Sequence, residues 1–210
     1  MKDKPIIVGC DECGWGSWAG MLVVGGVRAP KDWSFQGLND SKKLTPTKRE
    51  GLRPQLIKLA SDKVIAYHLA ERSNAEIDKM GASAALNSAY IEVFNALYQE
   101  DCLLVCDGTL KFDVAYDWIS VVKADGKYPA VMAASILAKT YHDEKMKALH
   151  KEYPMYGWDH NVGYHSPDHV EALNKYGPSP YHRMSYKPMK GMKIIDPRQL
   201  SFEFNNGKPV

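Results

Sequence analysis

Three short apolar runs in this chain each lead into an aspartate, and the strand ends they imply constrain the fold more than any other feature. Ile6-Ile7-Val8-Gly9-Cys10 leads to Asp11-Glu12, Leu103-Leu104-Val105-Cys106 to Asp107-Gly108, and Ser120-Val121-Val122-Lys123-Ala124 to Asp125-Gly126. Runs of β-favouring residues closed by Asp and Gly read as buried strands followed by turns. If the three strands are neighbours in one sheet, four carboxylates converge at one edge, where open α/β sheets place their active sites. Asp11 and Glu12 alone are equally consistent with solvated turn residues closing a hairpin. Adjacent like charges are costly to desolvate unless a cation shares them, so the recurrence of the pattern points to a metal site.

Oxygen ligands without a partnering cysteine or histidine suit Mg²⁺ or Mn²⁺, which complete their shells with water and substrate phosphate. The chemistry implied is metal-assisted phosphoryl transfer; in a two-metal site, ions about 3.5–4 Å apart hold the attacking water and the leaving oxygen. Cys10, Cys13, Cys102 and Cys106 have roughly knuckle-like spacing, which allows a zinc reading. Cys10 and Cys106 directly precede Asp11 and Asp107, however, so alternation turns them to the opposite face, and a role as small buried apolar residues is favoured.

With 210 residues and 45% hydrophobic content, the chain can bury a full core. Residues 1–145 read as a catalytic core and 146–210 as a helical and loop extension of the same globular unit. The formal charge is +2, divided as +4 over residues 145–210 and −2 over the rest, a mild asymmetry suited to a polyanionic substrate. No apolar run reaches the length of a membrane span, and Pro5–Cys10 is too short for a signal-peptide core, so a cytoplasmic monomer is expected.

The expected elements are strands at Ile6–Asp11 and Met21–Arg28 forming a hairpin, a strand at Lys63–Leu69, and the strands Leu103–Asp107 and Ser120–Asp125. Thr45-Pro46 gives an N-cap and N1 proline for a helix through Arg49, Leu52, Leu56 and Leu59. Ser73 and Glu76 form a capping box, Gly81 interrupts, and Ala84, Leu86, Ile91, Phe94 and Leu97 make a helical apolar stripe. An Ala-rich helix follows from about Ala130 to Leu149, and Ser166-Pro167-Asp168 to Gly177-Pro178 brackets a last one. Strands precede helices in a mixed α/β arrangement without internal repeats.

These residues resemble the ribonuclease HII (type 2 ribonuclease H) family from about Ile6 to Lys187. The similarity lies in Asp11-Glu12 with the glycine turn through Gly16, the intact Leu38-Asn39-Asp40-Ser41-Lys42-Lys43-Leu44, Cys106-Asp107-Gly108, and Lys123-Ala124-Asp125. It continues in Ala133-Ala134-Ser135-Ile136-Leu137-Ala138-Lys139, Gly163-Tyr164, and Tyr176 through Arg183. The resemblance implies a ribonuclease H-like mixed five-stranded sheet flanked by helices, with a C-terminal helical extension. It also implies hydrolysis of the RNA strand of RNA/DNA hybrids and nicking 5′ to ribonucleotides in duplex DNA, leaving 3′-hydroxyl and 5′-phosphate ends. Asp11, Glu12, Asp107 and Asp125 would form the metal-binding catalytic set, with Asp143 supporting it from outside.

Ser41 and Lys42 supply a hydroxyl and an ammonium suited to a phosphate oxygen. Tyr164, just before the capped helix, is placed to stack on a sugar. His182, Arg183, Lys187, Lys190 and Lys193 read either as a nucleic-acid flank or as a solvated basic tail. The chain departs from the family at Gly14-Trp15-Gly16, where the family has Gly-Arg-Gly and reads the 2′-hydroxyl largely through backbone. Trp15 has one neutral N–H donor and cannot replace a charged phosphate contact, and Trp18 adds a second bulky ring. Two alternatives therefore stand beside the main reading: a same-fold nuclease without junction preference, and a catalytically silent nucleic-acid-binding relative.

Overall fold

The computed structural model describes residues 4–39 and 41–196; Asp40, within the Leu38–Leu44 motif, lies outside the described residues. Among the described residues, five strands and five α-helices follow one another as β1 (Ile6–Cys13), β2 (Leu22–Pro30), α1 (Pro46–Ser61), β3 (Ala66–Arg72), α2 (Asn74–Met80), α3 (Ala82–Leu97), β4 (Cys102–Asp107), β5 (Trp118–Val121), α4 (Pro129–Glu152) and α5 (Pro167–Tyr176). The strands form one sheet in the order β3-β2-β1-β4-β5. β1 pairs antiparallel with β2, setting Asp11 opposite Gly25, and parallel with β4, setting Cys10 opposite Cys106. β4 and β5 are parallel. The sheet is therefore mixed and five-stranded, as expected.

The chain divides into two compact units that interleave in sequence. The first comprises residues 1–13, 23–71 and 86–141, and the second 14–22, 72–85 and 142–210. The second unit takes the loop after β1 and the segment around α2 as well as the chain from 142 onward.

In the first unit, Ile7, Val27, Ala29, Val105, Val131, Ala134 and Leu137 share a buried core with Leu52 and Leu56 of α1. α4 packs against β1 so closely that a Cβ on Gly9 would lie 2.3 Å from the Val131 amide nitrogen. Small residues on both sides make that approach sterically allowed. The opposite face of β1 meets α3, where a Cβ on Gly26, the partner of Cys10, would strike Val93 and Leu97. All four cysteines are buried, in keeping with a role as small apolar residues.

Local signals fixed most helix starts. The Thr45 hydroxyl accepts from the Lys48 amide, Ser73 and Glu76 form the reciprocal capping box, and Ser166 caps α5. The α3 stripe is shifted from expectation: Ala85, Leu86, Ala89, Tyr90, Val93, Phe94 and Leu97 are buried, whereas Ala84 and Ile91 are exposed. Period alone leaves a helix's phase open by one residue when neighbouring positions are both apolar.

The core of the second unit is aromatic. Tyr153, Tyr156, Trp158, His169 and His182 are all buried, and Tyr156 stacks on Trp158 with an interplanar angle of 17°. No helix among the described residues is long and apolar enough to cross a membrane.

Candidate active site

The strand pleat separates the two adjacent carboxylates of β1. Side chains alternate along a strand, so Asp11 turns to the face that carries α4 and Glu12 to the face that carries α3. Asp11, 4% exposed, accepts hydrogen bonds from the Ser135 hydroxyl of α4 and from the Glu12 amide at 2.9 Å. Glu12 accepts from the Tyr90 hydroxyl of α3 at 2.6 Å. β1 thus continues through both acids to Cys13 instead of stopping at Asp11.

Asp107 ends β4, as expected, and Asp125 does not end β5. The strand stops at Val121, Lys123 takes a left-handed backbone (φ 58°), and Asp125 sits in the short 3₁₀ turn Ala124–Gly126. Asp107 Oδ1 accepts from the Ala124 amide at 2.6 Å, tying that turn to the end of β4. Asp125 is 3% exposed and lies 3.5 Å from the ammonium of Lys42. Lys42 feels Asp11, Asp107 and Asp125 together, so the structure brings all four predicted carboxylates around one lysine.

The electrostatics are those of a cation site. Burial, then the charge of Glu12 and that of Asp107, push Asp11 up to about 7, against the relief from Ser135. Burial also raises Glu12, although Tyr90 opposes the shift. Burial pulls Lys42 down, and the surrounding carboxylates outweigh it and raise it. Among the described residues, no three of these carboxylates bring oxygens within 4.8 Å of one another. Buried, mutually repelling oxygen donors with no imidazole or thiolate among them fit a hard divalent cation.

The loop that carries Ser41 and Lys42 is braced from within. Ser41 is buried and its hydroxyl lies 2.7 Å from that of Ser135, while Arg49 donates to the Ser41 and Leu44 carbonyls. When Asp11 is ionised the Ser135 proton goes to it, so Ser41 donates to Ser135 and its hydroxyl proton is used inside the fold. The Lys42 side chain is 76% exposed.

In the second unit, Gly14 adopts φ +84°, and a Cβ there would lie 2.6 Å from the Met21 carbonyl oxygen, so only glycine fits. Its amide donates to the Tyr164 hydroxyl at 2.9 Å. Trp15 is 47% exposed and Gly16 is exposed. Two residues read as a basic flank prove to be buried framework: Arg183 donates to the carbonyls of Trp15 (2.9 Å), Gly20 (3.1 Å) and Met21 (2.9 Å) and to the Tyr186 hydroxyl. His182 is equally buried, and Lys187, Lys190 and Lys193 remain exposed. Asp143 lies in this unit, with Oδ1 3.3 Å from Nδ1 of His142.

His169 and His182 of this unit have fixed tautomers. His169 Nδ1 faces the Tyr164 carbonyl at 2.9 Å and must carry the proton. His182 Nδ1 accepts from the Ser179 amide at 2.9 Å, so its Nε2 donates to His169 Nε2 at 3.0 Å. Burial, then the neighbouring His169, pull His182 down to about 3.

Acidic residues held at and just beyond adjacent central strands of a mixed sheet place the protein among the metal-dependent hydrolases of the ribonuclease H class. The Ribonuclease HII family profile matches residues 8–189. A Ribonuclease HII of Bacteroides thetaiotaomicron is 40% identical over 201 residues, 95% of each chain, and one of Cytophaga hutchinsonii is 40% identical over 187 residues, 88% of this chain and 91% of that one. The crystal structure of the ribonuclease H2 of Pyrococcus horikoshii OT3 superposes with a TM-score of 0.71 at 25% identity, covering 96% of this chain and 100% of that one. The chain belongs to the ribonuclease HII family.

Proposed function

We propose that this ribonuclease H hydrolyses the RNA strand of RNA/DNA hybrids and nicks 5′ to single ribonucleotides in duplex DNA, leaving 3′-hydroxyl and 5′-phosphate ends. The observation that carries this reading is the convergence of Asp11, Glu12, Asp107 and Asp125 around Lys42. These four carboxylates would hold Mg²⁺ or Mn²⁺, which when bound supplies an activated water and charge neutralisation at phosphorus.

The remaining residues bind and orient. Exposed Lys42 takes a phosphate oxygen. Ser41 serves the same loop through its bond to Ser135, since its hydroxyl proton is already committed. Gly14 and Gly16 let the backbone approach the 2′-hydroxyl, Trp15 offers an exposed ring to a nucleotide, and Tyr164 packs on the sugar while its hydroxyl holds Gly14. Asp143 supports the metal ligands without being one. The enzyme would act as a cytoplasmic monomer on hybrids and on ribonucleotides left in DNA.

Cleavage of three matched duplexes tests this reading: a hybrid, DNA with one ribonucleotide, and all-DNA. In Mg²⁺ or Mn²⁺ the first two should be cut and the third left intact. Cleavage of the hybrid alone would replace junction nicking with a hybrid-only activity, and no metal-dependent cleavage of either would overturn the proposal.

A further inference from the structure

The divergence of Asp11 and Glu12 onto opposite faces of β1 means that one bracing group cannot serve both. Asp11 has the Ser135 hydroxyl from α4. Glu12, on the other face, is met by Tyr90, a fully buried side chain of α3 whose hydroxyl lies 2.6 Å from Oε2. The ring of Tyr90 packs between Phe94, with centroids 5.9 Å apart, and Phe112 at 5.2 Å. Those contacts fix the ring plane, and with it the direction of the O–H.

We infer that Tyr90 is a positioning residue for the metal-binding carboxylate of Glu12: its hydroxyl holds one carboxylate oxygen and thereby presets the ligand for the cation. The inference rests on the metal-ligand role proposed for Glu12. A hydrogen bond from a neutral hydroxyl to a carboxylate is short and strong, and in a buried setting it is the main substitute for the water that Glu12 has lost. Without it, the carboxylate is free to take other rotamers, and part of the cation's binding energy must restore the productive one. Groups that orient metal ligands from behind typically contribute 10–100-fold to metal affinity or activity. Tyr90 touches neither substrate nor phosphate in this role, so its effect belongs to metal affinity and turnover and not to substrate binding.

The test is Tyr90→Phe, which keeps the ring between Phe94 and Phe112 and removes only the hydroxyl. Melting of the protein across a Mn²⁺ titration gives the metal midpoint, and steady-state cleavage of a hybrid gives kcat and KM separately. The expected result is a midpoint roughly tenfold higher, a lower kcat and an unchanged KM. In a Glu12→Ala background, which has no side-chain acceptor for the Tyr90 hydroxyl, Tyr90→Phe should shift the midpoint no further. Equal midpoints and kcat for wild type and Tyr90→Phe would overturn the inference while leaving the metal site standing. A further shift in the Glu12→Ala background would overturn it in favour of packing alone. A wild type that melts identically with and without Mn²⁺ would overturn the metal reading and this inference with it.

Discussion

The two units of this protein solve opposite electrostatic problems. The first gathers Asp11, Glu12, Asp107 and Asp125 around one lysine and leaves Asp11 raised to about 7 by burial and by its acidic neighbours. The second buries His169, His182 and Arg183 with their donors and acceptors matched, so the two imidazoles are neutral and the guanidinium is spent on backbone carbonyls. One unit holds charge that a cation would relieve; the other spends a buried guanidinium as a clamp on the carbonyls of the Gly14–Met21 loop. Chemistry and recognition are thus assigned to groups with different failure modes, and each assignment can be broken separately.

The largest effect is expected at the clamp. Arg183→Leu removes the donor from three loop carbonyls at once, and a buried carbonyl left unmet costs about 1–3 kcal/mol. Urea denaturation should show a loss of at least about 3 kcal/mol. A loss below about 1 kcal/mol would show that the loop carbonyls find other donors and that the clamp is not what orders them.

Acid should move the two units in opposite directions. Asp11 has a folded-state pKa above its unfolded one, so its protonated form is favoured by folding and stability is gained as the pH falls from about 7 toward 3.8. His182 has a folded-state pKa below its unfolded one. Its contribution is intact above 6.5 and is lost as the pH falls toward 3. Around it stand His169, Tyr156, Trp158 and Ser179, and His169 in turn feels Asp168 and His165. In the metal-free protein, Asp11→Asn should therefore melt higher than wild type at pH 8, by an increment that shrinks toward pH 5. The His182 imidazole should keep its neutral NMR shift through pH 5. A constant increment, or titration of His182 near 6.5, would contradict the comparison.

Trp15 and Lys42 sharpen it. Trp15→Ala should weaken binding to DNA with one ribonucleotide by about 1–3 kcal/mol if the exposed ring stacks on a nucleotide. Unchanged affinity would reduce Trp15 to loop packing. Lys42→Ala should lower the slope of log K against log salt by about one unit, across sequences. An unchanged slope would mean that Lys42 serves only its neighbour Asp125.

The first unit was far more legible than the second. β1 and β4 announce themselves through apolar runs that end in carboxylates, and caps at Thr45, Ser73 and Ser166 mark helix starts by local hydrogen bonding. Asp125 was expected to close a strand and lies instead in a turn, because the left-handed backbone at Lys123 leaves no trace in an apolar run. His182 and Arg183 look like a basic surface because nothing local records that carbonyls of the Gly14–Met21 loop wait for them. Tyr90 was hidden for a similar reason: on α3 it is one more apolar position, and only the pairing of its hydroxyl with Glu12 makes it functional.

The central claim is that the four carboxylates of the first unit carry out metal-dependent cleavage. Its most direct test is Asp107→Asn, which replaces a charged ligand at the end of β4 with a near-isosteric amide. With saturating Mg²⁺ and a labelled RNA/DNA hybrid, the variant should melt and bind the hybrid like wild type, with kcat reduced to background. Cleavage at the wild-type rate would contradict the claim.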